Sequence, residues 1–183
     1  MGTKFNRSTP TEKPPPGLHH AVCVDVVMLG VKDTKSGPKP KVALAFMLDP
    51  TLKNAKGYPF IVRRSYTSTL HPKSSLSIDI CTWFNLSELS ERQITGFSQD
   101  GGPDKLLGVN CQLQIVHAPA DDGGVWANIK TILPAPPNAA KLSVPSDFVR
   151  QQDKPDESGS ENVTGEEYHG NQAADDAESL CPF

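Results

Sequence analysis

The sequence predicts a mainly β fold: a small five-stranded barrel with one helical insertion between its third and fourth strands, followed by a disordered acidic tail. Three observations predict it. Leu18 to Val31, LHHAVCVDVVMLGV, is a strand signal far longer than the roughly five or six residues of an ordinary strand. Period-two alternation returns in four later segments, and helical spacing appears only between residues 74 and 108. Beyond residue 150 large apolar side chains almost vanish while acids accumulate.

Residues 1–17, with Pro10 and the run Pro14 to Pro16, read as an irregular lead-in that contributes little to the core. The long first strand follows. Asp25 interrupts its valines and Gly30 lets it bend, so it suits a strand that pairs with different neighbours along its two halves. Lys32 to Pro40 reads as a basic loop, because Ser36-Gly37-Pro38 is turn chemistry. Strand two, Lys41 to Leu48, sets Val42, Leu44, Phe46 and Leu48 against Lys41, Ala43, Ala45 and Met47. Strand three, Tyr58 to Ser68, contains the adjacent Arg63 and Arg64, which must point to opposite faces, so at least one is outward.

The period then changes. Leu76, Ile80, Trp83 and Phe84 recur at helical spacing behind a cap at Ser74 or Ser75, with Trp83 as a core anchor. Ser87 is the expected cap of a second helix bearing Leu89, Ile94 and Phe97, and Pro103 to Gly108 reads as one further turn. Strands return at Val109 to His117 and Trp126 to Leu133, joined by the turn Asp121-Asp122-Gly123-Gly124. Residues 138–150 form an extension whose Leu142, Phe148 and Val149 are candidates to pack on the domain, and residues 151–183 read as disordered.

Three strands, a helical connection and a two-stranded hairpin give the order of the OB-fold over residues 18–137, with a small sandwich or SH3-like barrel as the alternatives. Charge divides at the same place. Residues 1–150 carry 17 Lys and Arg against 12 Asp and Glu, whereas residues 151–183 carry one Lys and nine acids. A basic body with an acidic appendage fits a polyanion binder. The candidate contacts are Lys39 in the basic loop, Lys41, Arg63, Arg64 and Tyr66 on strands two and three, and Trp126 and Lys130 on the last strand: cations for phosphates and rings for bases.

The sequence offers little for catalysis. It contains no phosphate loop, dinucleotide fingerprint or metal-ligand spacing, His19 and His20 fall on opposite faces of a strand, and strand carboxylates are nearly confined to Asp25. A non-enzymatic protein without cofactor or metal is expected. Cys23, Cys81, Cys111 and Cys181 are irregularly spaced and read as reduced thiols. Asp25 breaks the longest apolar run and the N-terminus is polar, so no signal peptide or membrane span is expected and the expected compartment is the cytoplasm.

The end of the chain, Asp175-Asp176-Ala177-Glu178-Ser179-Leu180-Cys181-Pro182-Phe183, resembles the C-terminal tip of bacterial and phage single-stranded DNA-binding proteins. It departs from them at Cys181, where those tips carry Ile or a similar residue. The body, from PPPGLHHAVCVDVVMLG through FIVRRSYTSTLHPKSSLSIDI to LLGVNCQLQIVHAP, is similar to phage and prophage replication proteins of the OB-fold type over most of residues 14–137. The resemblance implies a protein that coats single-stranded DNA without sequence specificity during replication or recombination. It also implies recruitment of partner proteins through Asp175, Asp176, Pro182 and Phe183, with homo-oligomers possible. The alternatives are an OB-like protein-protein adaptor without DNA binding of its own, and a nucleic-acid decoy.

Overall fold

The computed structural model describes residues 12–99, 101–119 and 124–153. Its strands are β1 (Gly17–Thr34), β2 (Gly37–Leu48), β3 (Ile61–Thr67), β4 (Asn110–Pro119) and β5 (Val125–Pro134). They form one antiparallel sheet in the order β3-β2-β1-β4-β5. β1 is the shared strand: residues 17–22 pair with β4, and residues 21–34 pair with β2. Two bulges make that sharing possible. Val24 and Leu29 are extra residues opposite the ladder steps Phe46/Ala45 and Val42/Lys41, and each increases the local bend. Gly30, at φ +71°, takes the backbone conformation that the second bulge requires.

The segment expected to be a basic loop is instead a β-ribbon. β1 and β2 stay paired to Thr34 and Gly37, with Lys35 and Ser36 forming the turn. Gly37 supplies φ +94°, and Thr34 Oγ1 donates to Gly37 O at 2.6 Å. Pro38 and Pro40 lie past the end of the β2–β3 ladder at Lys41/Thr67. Lacking N–H groups, they blunt an edge that would otherwise template further pairing. Strand three also differs, starting at Ile61 because Asn54 to Tyr58 close a tight loop in which Asn54 Oδ1 accepts from Lys56 N and Tyr58 N.

Inward residues of the five strands form the main core: Ala21, Cys23, Val26, Val42, Leu44, Phe46, Leu48, Val62, Tyr66, Cys111, Leu113, Ile115, Ala127, Ile129 and Ile132. The insertion closes its base. α1 (Ser75–Trp83) begins at Ser74, whose Oγ accepts from Ser77 N at 3.3 Å, and buries Leu76, Ile80 and Trp83. Trp83 meets Phe46 edge-on at 5.5 Å between centroids, a contact worth about 1 kcal/mol beyond its area, and donates Nε1–H to Asn110 O at 2.9 Å. α2 (Glu91–Ser98) is capped by Ser90, not Ser87. Ser90 and Gln93 satisfy each other's backbone N–H groups, whereas the residue three beyond Ser87 is another serine and cannot reciprocate.

β3 and β5 end the sheet on either side and are not joined by a ladder, so the sheet is not closed into a barrel. One side chain crosses the opening, where Arg64 Nη1 donates to Lys130 O at 2.9 Å, and α1 packs on both strands. The closed barrel expected from the sequence is therefore corrected to an open five-stranded sheet.

The opposite face of β1 and β2 carries a second cluster, Val22, Val24, Ala45 and Met47. It is covered by a strap, residues 138–153, through Leu142, Val144 and Phe148, while Val149 stays exposed. Polar locks hold the strap. Asn110 donates to Leu142 O at 2.8 Å and accepts from Leu142 N at 2.7 Å. Asp25, 1% exposed, accepts from Arg150 Nε at 3.1 Å and from Gln151 N at 2.8 Å, and Arg150 also pairs with Asp104 at 2.8 Å. The acid that interrupts β1 is thus the strap's anchor. Gln151–Asp153, read from the sequence as the start of disorder, form a 3-10 turn. The residues expected from the sequence to bind partners, Asp175, Asp176, Pro182 and Phe183, lie outside the described residues, as do Asp121, Asp122 and Gly123. Among the described residues no helix is long and apolar enough to cross a membrane.

Candidate functional site

The predicted site residues divide between the two faces of the sheet. On β2, Lys39 and Lys41 alternate outward with Ala43 and Ala45. The register sets Lys41 opposite Thr67, Ala43 opposite Ser65 and Ala45 opposite Arg63, so Arg63 follows the two lysines on one face, about 13 Å along the strand from Lys41. On β1, Lys32 stands directly opposite Lys39. Like charges facing across a ladder oppose pairing, a cost that an anion between them removes. Lys35, at the ribbon turn, completes a basic tip. The strap bounds the face at its other end, where Arg63 Nη1 donates to Gln151 Oε1 at 3.2 Å.

Lys130 reaches the surface by a different route. Gln114 pairs with Thr131 and Ile115 with Ile129, which leaves Lys130 as the extra residue of a bulge, exposed beside the opening between β3 and β5. Trp126 lies one residue into β5 and is half-buried, with Lys13 Nζ 4.4 Å from its ring centroid.

Arg64 and Tyr66 are corrected. Both belong to the inward row of β3 with Val62, continued by Phe60 just before the strand, and Tyr66 is only 2% exposed, so its ring has no face for a base. Tyr66 Oη donates to Asp79 Oδ2 at 2.7 Å, and Arg64 Nη1 pairs with the same oxygen at 3.1 Å. Burial raises the Asp79 pKa, the Arg64 charge and the Tyr66 hydroxyl partly offset the rise, and burial followed by the Asp79 charge holds the phenol well above its ordinary value. This triad fastens α1 to β3. Sequence alternation left open which arginine turns inward; the partner that decides it, Asp79, is 15 residues away on the helix.

Three residues escaped the sequence reading. Lys32 joins the face only because the ribbon continues where a loop was expected. Tyr58 is 67% exposed on the loop between β2 and β3, a free ring that its place in an apparent strand concealed. Lys13 sits in the lead-in, which is fastened more firmly than its composition suggests. Pro14 is buried, His117 Nε2 lies 2.8 Å from Pro14 O and His19 Nε2 2.8 Å from Pro15 O, and Lys13 Nζ donates to Val125 O.

An apolar cavity of about 120 Å³ opens between β1, β2 and the insertion, lined by Val26, Met28, Val42, Leu76, Phe97 and Leu106 together with Ser68, Thr69 and Ser98. Its lining has no titratable group. Among the described residues no cluster of three His, Cys, Asp or Glu side chains is placed to hold a metal ion. Cys23 and Cys111 are buried in the core, where desolvation pushes the Cys23 thiol up to about 12 and the Cys111 thiol upward. Neither has the depressed pKa of a nucleophile. What the outward face supplies is multivalent positive charge on rigid strands, suited to binding a polyanion. Comparison with protein-family models gives no match, and neither does comparison with curated protein sequences.

Proposed function

We propose that the folded body binds single-stranded DNA without sequence preference, as an open OB-type sheet, and that the acidic C-terminal segment recruits proteins of replication or recombination. The sheet order and the placement of the insertion between β3 and β4 support the OB reading. The observation that carries the binding proposal is the cationic row Lys32, Lys39, Lys41 and Arg63 on one outward face, including two lysines set directly opposite each other. Phosphates placed along that row relieve the repulsion and release condensed counterions. Lys130 and the exposed ring of Tyr58 extend the surface on β5 and the loop between β2 and β3.

The tail reading rests on the chemistry of the acidic segment. The ring of Phe183 enters an apolar pocket while the acids at Asp175 and Asp176 meet a basic rim on a partner. The same acids compete with DNA for the body's cations. The loss of Arg64 and Tyr66 to the core favours a second reading, a protein-protein adaptor that uses the same face for an acidic partner.

The test is competition. Full-length protein bound to labelled oligo-dT is challenged with unlabelled single strand or with duplex of equal phosphate content. Displacement by the single strand at much lower concentration supports the first reading. No complex with oligo-dT at low salt leaves the adaptor.

A further inference from the structure

Lys13 is not placed as a solvated lysine. Its segment is fixed just after it by the buried Pro14 and by the imidazoles of His117 and His19, which meet the carbonyls of Pro14 and Pro15 at 2.8 Å, and just before it by Glu12, whose carboxylate accepts from Ala55 N. On this mount the ammonium stands 4.4 Å from the centroid of Trp126 and donates to Val125 O. An ammonium on an indole face occupies the ground on which a base would stack. The same ammonium is the charge a phosphate would seek.

We propose that Lys13 and Trp126 together form a seat for one nucleotide, a reading that rests on the single-strand binding proposed above. In the free protein Lys13 covers the ring. When a nucleotide arrives its base takes the indole face, and the ammonium swings on its flexible stem to the adjoining phosphate. One cation thereby covers the accessible part of the indole face in the free state and neutralises charge in the bound state. The seat extends the interface from the ribbon and β3 to the start of β5, and it makes the lead-in part of the binding surface.

The indole provides the readout. Trp83, the other tryptophan, is buried at the end of α1 and hydrogen-bonded to Asn110 O, so it contributes a constant background. Full-length protein is titrated with unlabelled oligo-dT of roughly 16 nucleotides across a potassium chloride series. The emission change at saturation should be lost in Trp126→Phe and kept in Lys13→Gln. The slope of log K against log salt should become shallower by about 0.7 in Lys13→Gln, the contribution of one phosphate on a single strand, and return in Lys13→Arg. If the unaltered chain binds oligo-dT but Trp126→Phe leaves the emission change intact, or Lys13→Gln leaves the slope unchanged, the seat is overturned and single-strand binding stands. If the unaltered chain fails to bind, both fall.

Discussion

Tyr66 donates its hydroxyl to Asp79 across 2.7 Å, joining the inward face of β3 to α1, and Arg64 approaches the same carboxylate oxygen at 3.1 Å. This arrangement separates two adjacent arginines by role. Arg64 is committed to the fold and Arg63 to the surface.

Substitution should therefore have opposite consequences at neighbouring positions. Arg64→Ala leaves a largely buried carboxylate without its cation and should lower stability by about 2 kcal/mol in urea unfolding. Arg63→Ala, at an exposed site, should change stability by less than about 0.5 kcal/mol and weaken oligo-dT binding severalfold in anisotropy titrations. Equal losses of stability at the two sites would contradict the assignment.

Asp79 also predicts a pH dependence. Burial raises its folded pKa above the ordinary 3.8, so just above that value the folded chain holds more protons than the unfolded chain. Stability from this group is greatest at low pH and falls as pH rises through the elevated pKa. Urea unfolding over a pH series should show the unaltered chain losing stability relative to Asp79→Asn across that window. A relative gain would show that the carboxylate is favoured in its charged form.

Asp25 should behave as the strap's anchor. Asp25→Ala removes the buried acceptor of Gln151 N–H and of Arg150 Nε, leaving Arg150 paired only with Asp104, and should cost about 2 kcal/mol. Hydrogen exchange should quicken at residues 142–151, and the newly opened Val22, Val24, Ala45 and Met47 should bind an apolar dye. Unchanged exchange there would mean that Leu142, Val144 and Phe148 hold the strap unaided.

Thiol reactivity checks the core. Iodoacetamide at mildly alkaline pH should alkylate Cys81, on the helical insertion, before Cys23, whose thiol is buried and raised to about 12, or Cys111. Peptide mapping that found Cys23 modified first in folded protein would contradict its burial on β1.

Legibility in the sequence followed the range of the interactions. Alternation in β2, β3, β4 and β5 and the helical stripe of Leu76, Ile80 and Trp83 were readable because their partners recur every two to four residues. The same periodicity placed Lys41 on the face opposite Val42, but it left open which of Arg63 and Arg64 turns outward, and Lys39 fell in the segment expected to be a loop. Long-range pairing was not readable. Nothing near Arg64 reveals Asp79, nothing near Asp25 reveals Arg150, 125 residues away, and nothing near Trp126 reveals Lys13. The ribbon was missed because Ser36-Gly37-Pro38 signals a turn without stating whether the strands around it remain paired. The strap also alters where the chain can be divided. A cut after Pro137, natural from composition, would strip the cover from the outer face of β1 and β2, whereas a cut after Asp153 would leave it in place.

The cationic face is tested most directly by salt. Affinity of full-length protein for labelled oligo-dT should fall linearly on a log-log plot as potassium chloride rises, with a slope of about −0.7 for each phosphate held. Joint replacement of Lys32, Lys39, Lys41 and Arg63 by alanine should flatten that slope by about 2 to 3 while leaving the unfolding midpoint within about 0.5 M urea of the unaltered chain. A slope that is flat in the unaltered chain, or equally steep after the four replacements, would contradict the proposal that this face binds single-stranded nucleic acid.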